Sequence, residues 1–261
     1  MNISLKGKNA IVCGSSQGIG LAIAQELALN GATCILISRN AEALQSAVDG
    51  LSKENGQLHR WIAVDFSDTS FLELQVKKLL EELPVEILVN NSGGPKAGPI
   101  LDAPAEAFEL AFRQHLIGNQ VLAQAVIPSM REAGYGRIIN IISTSVKTPL
   151  ANLGVSNTIR LAVASWAKTL ANEVGRFNIT VNNILPGLTE TQRLVDLTKH
   201  TATALKKDFL VVEEQMKESI PMKRFGKPEE IARVVAFLAS PAASYVHGTN
   251  IAVDGGRTPA L

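Results

Sequence analysis

The residues best equipped for chemistry come early: Gly14-Ser15-Ser16-Gln17-Gly18-Ile19-Gly20, three glycines in seven positions. The apolar run Asn9-Ala10-Ile11-Val12-Cys13 precedes them, and Ile19, Ala22, Ile23 and Leu27 follow at helical spacing. The order is therefore strand, glycine-rich turn, helix. Glycine lets the backbone turn sharply and lets another molecule approach with no Cβ in the way. The helix behind the turn points its free N–H groups and positive dipole end at whatever occupies it, which favours an anion such as a pyrophosphate. The spacing is G-x-x-x-G-x-G rather than G-x-G-x-x-G. A nucleotide is the expected occupant; a tight turn that binds nothing is the plain alternative.

Further polar residues close the later strand-like runs. Ser38-Arg39 ends the second, where the adenosine ribose of a dinucleotide belongs. An acidic residue there would accept from the 2′-hydroxyl of NAD and repel a 2′-phosphate. A hydroxyl and a guanidinium do the reverse, because arginine makes forked, charge-assisted bonds to phosphate. NADP is thus expected in preference to NAD. Asp65, beside Phe66, ends the third run and is positioned for the adenine amino group. Asn90-Asn91-Ser92-Gly93-Gly94 ends the fourth, with small residues that allow close approach to a ribose. Pro186-Gly187-Leu188-Thr189-Glu190-Thr191 ends the sixth, with main-chain groups and the Thr191 hydroxyl available to a nicotinamide carboxamide.

The elements that must position these residues alternate almost throughout. Strands are expected at 9–13, 33–38, 61–65, 86–90, 137–142, 179–185 and 250–254. Helices are expected from Ile19, over 41–55 and 69–83, after Pro104 towards Glu132, from Leu153 to Arg176, and from Pro228 to Leu238. Strands that are apolar on both faces and separated by helices make a parallel sheet covered on both sides. Right-handed crossovers wind it doubly. The fold class is therefore α/β, a doubly wound parallel sheet of seven strands in one domain spanning 1–261. Ligands bind such sheets at the carboxyl ends of the strands, where every distinctive segment lies, 143–145 included. The stretch 188–222 stands outside the alternation and reads as a helical lid that shapes a substrate pocket.

Composition narrows the function classes. The net charge of +1 gives no electrostatic case for nucleic acid or an anionic membrane surface. No apolar run reaches spanning length and the first residues do not resemble a signal peptide. Cys13 and Cys34 fall in strands without metal-ligand spacing, as reduced core thiols of a cytoplasmic protein would.

Together the glycine turn, Asn90-Asn91-Ser92-Gly93, Pro186-Gly187 and the closing Val253-Asp254-Gly255-Gly256 resemble the short-chain dehydrogenase/reductase family, a Rossmann-fold family, over essentially the whole chain. The nearest likeness is to its 3-oxoacyl-acyl-carrier-protein reductase-like branch. The resemblance implies a dimer or tetramer built through the two long helices. It also implies hydride transfer to or from a carbonyl or alcohol, a 3-oxoacyl thioester being one such substrate. The family's chemistry uses a Ser, a Tyr thirteen residues later, a Lys four further on, and an Asn on the preceding long helix. Here Ser143 matches the Ser, but Ser156, Arg160 and His115 stand at the other three positions. A serine hydroxyl ends about 4 Å short of a tyrosine's, and an arginine is a poor proton relay. The expected repair is a water held by Ser156, with His115, titrating near neutral pH, donating the proton through it. Two other readings stay open: a cofactor-binding protein without turnover, and a non-redox enzyme that binds an anion with Ser143 and Arg160.

Overall fold

The structure, a computed structural model, describes residues 1–260. Seven parallel strands form one sheet in the order β3-β2-β1-β4-β5-β6-β7. They are β1 (Asn9–Cys13), β2 (Thr33–Ser38), β3 (Arg60–Ala63), β4 (Ile87–Asn90), β5 (Gly136–Ile141), β6 (Ile179–Pro186) and β7 (Asn250–Val253). Between them run α1 (Gly18–Leu29), α2 (Ala41–Asp49), α3 (Thr69–Glu82), α4 (Ala105–Phe112), α5 (Gly118–Glu132), α6 (Gly154–Val174), α7 (Gln192–Leu205), α8 (Phe209–Glu218) and α9 (Pro228–Ala239). Side chains alternate across the pleat. Ala10 and Val12 join α1, α2 and α9 in one apolar cluster, and Ile11 and Cys13 join α3, α5 and α6 in the other. Each fully buried Val, Leu or Ile is worth about 1.5–3 kcal/mol over its exposed state, so the two clusters hold both helical layers on the sheet. Both cysteines are buried, free thiols.

One polar row crosses this core. Asn90, Asn140, Asn183 and Asn250 occupy matched positions on β4 to β7. Each side-chain Nδ2 donates to the next Oδ1 at 2.8 Å. A one-residue slip would turn these amides into the apolar layers. The row therefore fixes the register in which the carboxyl ends align.

Several elements differ from the sequence expectation. The helix expected over 41–55 stops at Asp49, because Gly50 is its C-cap and glycine is costly inside a helix. The third strand ends at Ala63, the last residue paired with β2, and Asp65 lies beyond it. The edge strands β3 and β7 are partly exposed rather than apolar on both faces. The long helix after Pro104 is interrupted by a π-helical turn at Arg113–Ile117, with His115 inside it. The stretch after Thr191 is helical, as expected. Its helices α7 and α8 meet over Leu194, Ile220 and Phe225. A bridge between Thr189 and Gly226 pins both ends of the excursion together.

Candidate active site

At the carboxyl edge of the sheet lies a cavity of about 780 Å³ that the glycine turn enters from one side and α6 and α7 from the other. β1 pairs with β2 on one side and β4 on the other, so this is the point where the winding reverses. Gly14 and Gly18 both take φ of +58°, the left-handed region that disfavours side chains. A Cβ on Gly20 would run into the carbonyl oxygen of Gly14, and one on Gly14 would stand 2.6 Å from the carbonyl oxygen of Asn91. Asn91 ties the turn to β4, its Nδ2 donating to the carbonyls of Cys13 at 3.2 Å and Gly14 at 3.3 Å. Helix α1 begins with no side-chain cap. Its first N–H groups are left for a ligand, and Gln17, Gly18, Ile19 and Gly20 line the cavity with Gly14 and Ser16.

The Ser15 hydroxyl is fully buried and donates to the Val12 carbonyl at 2.7 Å, so the side chain holds the turn. Ser38 does the opposite: its Oγ is buried with no partner, on the cavity wall beside Arg39. The Arg39 side chain is 75% exposed and 3.8 Å from Asp65 Oδ2. Asp65 accepts from the Ser67 N–H at 2.8 Å and hydroxyl at 2.7 Å, which holds its carboxyl below the usual range. That occupies Oδ1 and leaves Oδ2 towards Arg39; Phe66, next in the chain, lines the cavity. Ser92, Gly93, Pro186, Gly187, Thr189 and Thr191 all line the cavity. A Cβ on Gly187 would meet Asp254 at 2.6 Å, and Thr191 stands over Gly18. The Thr191 hydroxyl donates to the Thr189 carbonyl at 3.3 Å.

At the other end α6 brings Ser156 and Arg160 beside Ser143, and all three line the cavity. Ser143 caps a short 3-10 turn and accepts from the Ser145 N–H at 3.1 Å, so its own O–H remains free to donate. The Ser156 hydroxyl has no protein partner. Arg160 is 7% exposed, and its two terminal nitrogens donate to the carbonyls of Ile141 at 3.2 Å and Ser92 at 3.4 Å. Burial and the charge of Arg193 push its pKa down to about 10, which leaves it charged at neutral pH.

His115 overturns the expectation of a neutral-pH proton donor. It is 1% exposed and shares a 2.6 Å hydrogen bond between Nδ1 and Ser92 Oγ, while Nε2 is buried with no partner. Burial, then the charges of Arg160 and Arg193, lower its pKa from 6.5 to about 2. It is a neutral support under the loop after β4. Sequence reasoning also missed Glu190, Arg193 and Arg257, which line the cavity. Glu190 and Arg193 follow directly on Pro186-Gly187, and that adjacency was the available signal. Among the described residues, no three His, Cys, Asp or Glu side chains cluster as a metal site would need.

The fold and the turn at its switch point define a doubly wound α/β protein of the dinucleotide-binding class. A family model described as Enoyl-(Acyl carrier protein) reductase matches residues 14–258. The chain belongs to the short-chain dehydrogenase/reductase family, a family of oxidoreductases. It is 34% identical over 255 residues to 3-oxoacyl-[acyl-carrier-protein] reductase of Chlamydia trachomatis, covering 97% of this chain and 98% of that one. It is 32% identical over 263 residues to 7alpha-hydroxysteroid dehydrogenase of Escherichia coli K12, covering 100% and 98%. L-sorbose reductase from Gluconobacter frateurii, solved with NADPH and L-sorbose, superposes with a TM-score of 0.94 at 33% identity over the full length of both chains.

Proposed function

We propose that this protein is an NADP-dependent oxidoreductase that exchanges hydride with a carbonyl or alcohol carbon, using Ser143 together with Ser156 and Arg160, which stand in place of a tyrosine–lysine pair. The observation that carries the reading is one continuous cavity, with the partnerless Ser38 hydroxyl and Arg39 at one end, the uncapped α1 in the middle, and Ser143 and Ser156 at the other. The residues suit NADP. The glycine cradle, which admits no Cβ at Gly14 or Gly20, would hold the pyrophosphate, and Ser38 and Arg39 would offer a donor and a positive charge to a 2′-phosphate. Bound there, the cofactor would supply or accept hydride.

The chain's own part is to hold the substrate oxygen and deliver a proton to it. Ser143 donates to the oxygen. Ser156 holds a water in the space a longer side chain would fill, and that water passes the proton. Reduction consumes one hydride and one proton, and the proton comes from solvent through this water rather than from His115, which is neutral and held by Ser92. Arg160 stays charged and holds ribose hydroxyls or substrate. The chain works as a homo-oligomer: α4 packs on α6 through Ala111, Val155 and Ile159, and Leu110 and Phe112 on α4 and Leu161 on α6 stay exposed as apolar side chains for a second copy to cover.

Titration with NADPH and NADH tests the reading. Micromolar NADPH binding is expected, weaker by about 10- to 100-fold in Arg39→Ala while NADH binding hardly changes. Carbonyl turnover is expected to fall about 10²- to 10³-fold in Ser143→Ala. An absence of binding by either nucleotide would withdraw the reading. Binding with no turnover of any carbonyl would favour a cofactor-binding protein instead.

A further inference from the structure

The reaction end of the cavity carries more positive charge than a neutral substrate requires. Arg160 enters from the second turn of α6, buried and bonded only to main-chain carbonyls. Arg193 enters from the first turn of α7, and its guanidinium lies against Gly94 so closely that a Cβ there would run into it. The two charges act on one another and both act on His115. Neither arginine forms a salt bridge with a carboxylate among the described residues. Glu190 is the one acid on the cavity wall among those residues, set against Arg39, Arg160, Arg193 and Arg257. Like charges brought together away from water are unfavourable until an anion joins them. A guanidinium fork matches a carboxylate in two parallel hydrogen bonds.

We propose that Arg160 and Arg193 form a carboxylate clamp, so that the substrate is an oxo acid or hydroxy acid with its reacting oxygen at Ser143 and its carboxylate between the two guanidiniums. This deepens the oxidoreductase reading and rests on it. The cofactor's phosphates have their own seats, at the uncapped start of α1 and at Ser38 and Arg39. At the turn itself Thr191, not Arg193, stands over Gly18. His115 matters here by being neutral: it sits beside both guanidiniums and adds no third positive charge. The clamp joins the first turn of α7 to α6, so a bound carboxylate ties the lid to the reaction end.

Calorimetric titration of the protein saturated with NADP⁺ tests the clamp. The probes are phenylpyruvate, 2-oxobutanoate and 4-oxopentanoate, each compared with its methyl ester. At least one acid is expected to bind about 10-fold or more tightly than its ester, the scale of a lost charge-assisted pair. Arg193→Gln is expected to remove that preference and to leave the NADPH dissociation constant within about twofold of wild type. Arg193→Lys is expected to restore part of the preference. If no acid binds better than its ester, the clamp is overturned. It is equally overturned if Arg193→Gln weakens NADPH as much as the acid, which would assign Arg193 to the cofactor's phosphates. The two readings fail separately. Wild type that binds NADPH without acid preference loses only the clamp, whereas wild type that binds no NADPH loses both.

Discussion

His115 illustrates how one residue's environment decides its chemistry. A histidine at the position of a relay residue reads as a titratable donor, yet burial inside the π-turn and two nearby guanidiniums hold it neutral down to about pH 2. In the unfolded chain the same ring takes up a proton near 6.5. The unfolded state therefore binds more protons between those values, and stability falls as pH falls. From pH 7 to pH 5 this one group should cost about 2 kcal/mol of folding stability. Denaturant unfolding at both pH values checks it: His115→Asn should lose that much less on acidification than wild type. An equal loss in both would mean that His115 titrates normally in the folded protein. Ser38 is the converse case. A buried hydroxyl without a partner is normally a defect, and its place on the cavity wall is the ground for the 2′-phosphate contact proposed for it.

Among the elements, the asparagine row deserves a direct test because it spans four strands. Asn140 sits in its middle, donating to Asn183 and accepting from Asn90. Asn140→Ala leaves an Asn90 N–H and the Asn183 oxygen buried without partners, at roughly 1–3 kcal/mol for each group. Urea unfolding should show a lower midpoint at unchanged slope. Asn250→Ala, at the exposed end of the row, leaves one group without a partner, the Asn183 N–H, and should cost about half as much as Asn140→Ala. Equal losses for the two variants would mean that the row does not act through burial. The same row explains how the strand ends stay level, which is what lets turns from β1, β4, β5 and β6 meet in one cavity. The glycine turn and the helix dipole behind it were legible in the sequence because they depend on neighbours a few residues away. The π-turn was not: its backbone stays near helical angles at both ends, and no local residue type announces the extra residue.

For the whole molecule, the proposed association of copies rests on apolar residues exposed on α4 and α6, Leu110, Phe112 and Leu161. Changing Leu110 and Leu161 together to Asp should give a monomer by light scattering with the fold retained by circular dichroism. A wild-type chain that is already monomeric at micromolar concentration would overturn the assembly. The alternation of strands and helices, the parallel winding, the glycine cradle and the likeness to a family of oxidoreductases are all legible in the residues alone. Those follow from periodicity, glycine placement and motif spacing, all short-range properties of the chain. The resemblance to that family located Ser143, Ser156 and Arg160, and helical spacing puts the last two on one face of α6. Folding was needed to set the electrostatic environments: a neutral His115, a Ser15 hydroxyl bonded to Val12, an Asp65 bonded to Ser67, and an Arg193 brought against Gly94 by α7. Charge state and reach depend on burial and on neighbours far away in sequence, and those neighbours exist only once the sheet, α6 and α7 have closed around one space.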